Sequence, residues 1–166
     1  LIEKFHDKDR DIQLAAVNKF FNRFPYVSDS EMWQQEDYWA TPTEFLGRKG
    51  GDCEDFVVGK YFTLRALGIE DKHLFLTYVK AIKQNVAHMV LTYHSEPGSI
   101  PLVLDNYNPV ILPASARLDL VPVYSFNAES LFLSNPSAGL GQSLPTDKIK
   151  NSKWDALLSS MKETSE

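Results

Sequence analysis

The stretch GGDCEDFVVGKYFTLRALG, residues 50–68, decides how this chain is read. Phe56, Val57, Tyr61, Leu64 and Leu67 recur at helical spacing and share one apolar face. Asp52 suits the N-cap, and Gly68 suits the residue just past the C-terminus. Cys53 therefore falls in the first turn of a helix. A helix N-terminus carries N–H groups without intrahelical partners and a partial positive charge. Both favour thiolate, the nucleophilic form of cysteine. Gly50 and Gly51 would let a substrate backbone come close, and the Cys53 N–H could serve as one oxyanion donor.

Upstream, Leu14, Val17, Phe21 and Phe24 predict a helix over about 9–24, stopped by Pro25. Residues 26–51 are rich in Trp, Tyr, Gly and Pro and read as a long irregular segment, of the kind that is often functional. Downstream the period changes. Segments near 73–82, 86–94, 100–105, 109–112 and 119–125 read as strands, with turns at Lys83-Gln84-Asn85 and Glu96-Pro97-Gly98-Ser99. Helices followed by consecutive strands predict an α+β fold with an antiparallel sheet. Residues 134–153 are polar, with Pro136, Gly139, Gly141 and Pro145, and read as a surface loop. Trp154, Leu157, Leu158 and Met161 predict a short closing helix.

The 166 residues suit a single domain, 1–166. Apolar residues make up 43% and charged residues 23%, which excludes wholesale disorder. No apolar run reaches the roughly 18–20 residues of a membrane span. The balance of 17 basic and 22 acidic residues, with no basic run, argues against a nucleic-acid partner. The chain begins at Leu1 with no leader-like segment, and the expectation is that an address signal has been removed. A lone cysteine forms no internal disulfide and builds no zinc ribbon.

A nucleophilic cysteine needs a base, and the base an orienting partner. His6 lies near the start, His73 begins a strand and His94 lies near a turn. His88 sits within a strand, opposite in facing to Ala87, Met89 and Leu91. Asp105 ends the apolar run Ile100–Leu104, where a carboxylate costs desolvation unless it is paired. The turn between these strands makes them antiparallel neighbours, so His88 and Asp105 can meet across them. Asp119 reads as a surface ion pair with Arg117.

Asp52, Glu54 and Asp55 surround Cys53 in the chain. Helix capping accounts for all three. Yet three carboxylates beside a thiol repel thiolate. A bound cation would remove that conflict, and hard oxygen ligands favour Ca²⁺.

The motifs Gly51-Asp52-Cys53-Glu54-Asp55, Ala87-His88-Met89-Val90 and Val103-Leu104-Asp105-Asn106, in this order, resemble the bacterial transglutaminase-like cysteine proteinases. Asp37-Tyr38-Trp39-Ala40-Thr41-Pro42 and Arg117–Phe126 extend the likeness over about residues 10–133. The resemblance implies Cys53, His88 and Asp105 as the triad, on a papain-like core shared with transglutaminases. It implies calcium dependence through Asp52 and Glu54 first, with Asp55 a further candidate. It also implies a periplasmic endopeptidase that cuts a large surface adhesin near its N-terminus, between two small residues. Trp33 or Trp39 walling the cleft would enforce small side chains there. The partner it implies is an inner-membrane receptor for cyclic dimeric GMP that sequesters the protease through its periplasmic domain. Two other readings stay open: an acyltransferase or transglutaminase with the same triad, and a binding module that has kept the fold.

Overall fold

The computed structural model describes residues 1–135, 139–144 and 152–163. The helices are α1 (Ile2–Phe5), α2 (Arg10–Phe21), α3 (Asp29–Met32), α4 (Pro42–Arg48), α5 (Cys53–Ala66) and, last in the chain, α6 (Ser152–Glu163). Between α5 and α6 come β1 (Leu74–Ala81), β2 (Val86–Tyr93), β3 (Leu102–Leu104), β4 (Leu112–Pro113), β5 (Leu120–Phe126), β6 (Leu131–Asn135) and β7 (Gly139–Leu144). The strands form one antiparallel sheet in the order β4-β3-β2-β1-β5-β6-β7. The predicted α+β class therefore holds.

Helix α5 lies on one face of the sheet, against β1 and β2, with α2 behind it. Phe56, Val57, Tyr61 and Leu64 join Leu76, Met89, Leu91 and Leu104 in the main core. Gly59 lets α2 come close, since a Cβ there would lie 2.9 Å from Cζ of Phe21. Val79, Val90 and Val103 make a smaller cluster on alternating sheet positions. Trp154 of α6 closes the far side, packed on Tyr61, Phe62 and Phe126. Trp39 is also core, against Phe126 and Trp154.

The structure departs from expectation over residues 26–51 and 134–153, and adds α1 and β6, which the sequence did not reveal. Residues 26–51 hold α3 and α4. Helix α4 starts with a complete capping box: Glu44 N–H donates to Thr41 Oγ1, and Glu44 Oε2 accepts from Thr41 N–H, with Pro42 at the first helical position. The segment expected as a loop over 134–153 contains β7 instead, because Gly139–Leu144 pairs with β6. Positions 136–138 and 145–151 lie outside the described residues.

Candidate active site

Cys53 opens α5, as expected. The Met89 backbone N–H, on β2, favours the Cys53 thiolate. The residue before Met89 is His88, and α5, which Cys53 opens, packs against the strand that carries it. The His88 side chain is fully buried. Its Nε2–H donates to Asp105 Oδ1 over 2.7 Å, the pairing anticipated from sequence. Its Nδ1 is buried and has no hydrogen-bond partner among the described residues. With Nε2–H given to Asp105, Nδ1 is the ring nitrogen left to act as a base.

Asp105 is held from every side. Oδ1 also accepts from Tyr107 N–H (2.9 Å), and Oδ2 accepts from Arg117 Nη2 (2.7 Å). Asn22, just past α2, donates to the Asp105 carbonyl (2.8 Å). Burial alone would push the carboxyl up, but His88, the Tyr107 N–H and Arg117 outweigh it and hold Asp105 below the ordinary carboxylate range. Arg117 bonds Asp119 too, as expected, but it is buried and not a surface group. The sequence offers no signal for its reach to Asp105, because that contact depends on how the loop after β4 folds back.

The acidic residues divide. Asp29, Asp52 and Asp55 offer ligand oxygens within 4.8 Å of one another. Each also carries a buried oxygen with no hydrogen-bond partner among the described residues: Asp29 Oδ1, Asp52 Oδ1 and Asp55 Oδ2. Asp29 was absent from the sequence reading. It arrives because the ends of the 26–51 segment are pinned together, with Val27 N–H donating to the Gly51 carbonyl (2.9 Å). Asp52 occupies the N-cap position, yet its side chain makes no capping bond, so capping does not explain it. Burial, then the neighbouring carboxylates, lift the Asp52 carboxyl to about 9. Burial likewise lifts Asp55 to about 7, and raises Asp29.

Glu54 turns elsewhere: the Cys53 thiol donates to Glu54 Oε2 over 2.9 Å. Burial, then the Glu54 charge and hydrogen bond, push the thiol well above its ordinary value. The expected thiolate preference of the helix N-terminus is overridden. That terminus contributes roughly 0.3–1 kcal/mol, whereas a like charge at 4 Å costs about 4 kcal/mol near a protein surface. The two glycines also serve the protein's own packing. A Cβ on Gly51 would lie 2.7 Å from Asp55 Cβ, and one on Gly50 would lie 2.9 Å from the Pro25 carbonyl oxygen.

The sequence profile of the bacterial transglutaminase-like cysteine proteinases matches residues 3–117. The chain belongs to that family. Among solved structures, calcium-bound LapG of Legionella pneumophila is 46% identical, with a TM-score of 0.84 over 96% of this chain and 84% of that one. EGTA-treated LapG from the same organism is 46% identical, with a TM-score of 0.83 over 96% and 83%. Among curated proteins, none matches. This cysteine proteinase is thus LapG-like, with the transglutaminase-like fold. Among the described residues, no helix of the proteinase is long and apolar enough to cross a membrane.

Proposed function

We propose that this chain is a calcium-dependent periplasmic cysteine endopeptidase that cuts a large surface adhesin near its N-terminus, between two alanines, and so frees it from the cell. An inner-membrane receptor for cyclic dimeric GMP holds the protease in check through its periplasmic domain. The observation that carries the catalytic part is the buried His88–Asp105 pair, its Nδ1 unpartnered, on the strand against which the Cys53 helix packs.

In this reading His88 Nδ1 takes the Cys53 proton, and the thiolate attacks the scissile carbonyl carbon. The oxyanion meets the Cys53 N–H in the first turn of α5. The C–N bond breaks, the leaving amine takes the proton from His88, and a thioester remains. His88 then deprotonates water, which attacks the thioester and restores the thiol. Asp105 keeps Nε2–H in place and faces the imidazolium as it forms.

The three unpartnered aspartate oxygens fit a hard divalent cation. Asp29, Asp52 and Asp55 would hold calcium, with Glu54 the adjoining carboxylate. Bound there, the ion supplies positive charge that offsets the carboxylates beside the thiol. The existence of calcium-bound and EGTA-treated forms of LapG supports this choice of ion.

The test is digestion of an adhesin N-terminal fragment, in calcium or in EGTA, by the wild type and Cys53→Ala. Cleavage by the calcium-loaded wild type alone is expected. Cleavage by Cys53→Ala at the wild-type rate would end the proposal. A cross-linked product with an amine donor, and no cut fragment, would turn it to acyl transfer.

A further inference from the structure

We propose that Tyr107 is the residue that positions His88, clamping the imidazole in the plane that joins Nε2 to Asp105 and leaves Nδ1 available. This rests on the Cys53–His88–Asp105 reading and extends it.

The two rings are stacked face to face, with centroids 3.9 Å apart and planes 3° from parallel. The backbone places Tyr107 there. Strand β3 ends at Leu104, whose partner on β2 is Leu91. Continued past that end, the register brings residue 107 opposite His88. The Tyr107 N–H bonds Asp105 Oδ1 in an Asx turn. The same oxygen accepts from His88 Nε2. One carboxylate oxygen thus fixes both the edge of the imidazole and the start of the residue that covers its face.

A single hydrogen bond from Nε2 leaves the imidazole able to rock about that bond. A ring against its face removes this freedom. Tyr107 is about 40% exposed, so it forms the outer cover of the His88–Asp105 pair. Its hydroxyl makes no hydrogen bond among the described residues, which makes the ring face the working part. A cation over an aromatic face is attracted by it. The stacked Tyr107 face therefore suits the imidazolium that forms when His88 takes the thiol proton.

The test compares wild type, Tyr107→Ala, Tyr107→Leu, Tyr107→Phe and His88→Ala in calcium buffer. One readout is the rate of Cys53 alkylation by iodoacetamide. The other is the ¹⁵N spectrum of the His88 ring. Wild type and Tyr107→Phe should show one locked Nε2–H tautomer. Tyr107→Ala and Tyr107→Leu should show averaged tautomers and alkylate about tenfold more slowly, approaching His88→Ala. The leucine variant keeps apolar cover without a π face, so it remains informative if the alanine variant folds poorly. A locked tautomer and wild-type alkylation in the leucine variant would overturn the proposal. If His88→Ala alkylates as fast as wild type, the triad reading itself falls, and the role of Tyr107 with it.

Discussion

At the scale of single residues, Cys53 has a carboxylate on each side in the chain, and the two do different things. Glu54 accepts from the thiol, while Asp52 joins Asp29 and Asp55 with an oxygen left unpartnered. Asp29 is the sharper probe of the ion, because it is remote from α5 in sequence. Asp29→Asn keeps an oxygen for the Tyr38 N–H (2.5 Å) but loses the charge. It should abolish the calcium-dependent rise in melting temperature and leave the calcium-free melting temperature equal or higher. An unchanged calcium shift in Asp29→Asn would remove this residue from the ligand set. Glu54→Ala should weaken calcium affinity while speeding Cys53 alkylation in EGTA, since the thiol loses its acceptor. Arg117 makes a separate prediction. Arg117→Leu leaves Asp105 buried with one cation fewer, a loss of roughly 3–5 kcal/mol of stability. Urea unfolding measures it, and a change under 1 kcal/mol would show that His88 and the backbone donors suffice.

At the scale of elements, α5 carries both the proposed nucleophile and an unexplained cost. Lys60 is completely buried, two turns beyond Cys53, and its Nζ has no hydrogen-bond partner among the described residues. Burial pulls it down to about 7, with Asp105 pulling the other way. The folded state thus binds fewer protons than the unfolded one between about pH 7 and the ordinary lysine value. The penalty is full below pH 7 and fades as pH rises. Lys60→Met should therefore stabilise the protein by roughly 1–3 kcal/mol near neutral pH. The gain should shrink towards pH 10, and melting curves at both pH values check it. A gain independent of pH would mean that packing, not charge, is what the methionine changes. Helix α5 was legible from its period and its Gly68 stop. Helix α4 was equally encoded, through Thr41-Pro42 and Glu44, but a run of seven residues gives too few turns for a period to show. Strand β7 was hidden because its glycines read as turn residues, and only pairing with β6 makes it a strand.

At the scale of the whole molecule, the proposed catalytic groups come from α5, β2 and the end of β3, and the acidic cluster from α3 and the start of α5, around one main core. One core predicts one cooperative unfolding transition, at the same temperature by near- and far-ultraviolet circular dichroism, shifted upward by calcium. Two separated transitions would split the chain into independent units. The sequence by itself determined the helix that presents Cys53, the α+β order and the pairing of His88 with Asp105. These follow from local periodicity and from two strands joined by a short turn, where neighbours in sequence are neighbours in space. Only the tertiary structure decided that Asp29 stands beside Asp52 and Asp55, that Arg117 buries its charge on Asp105, and that Tyr107 lies flat on His88. Asp29 and Arg117 are set by loop closure, and Tyr107 by a register carried past the end of a strand. No periodicity records such contacts, because they depend on where the chain returns and not on its local pattern.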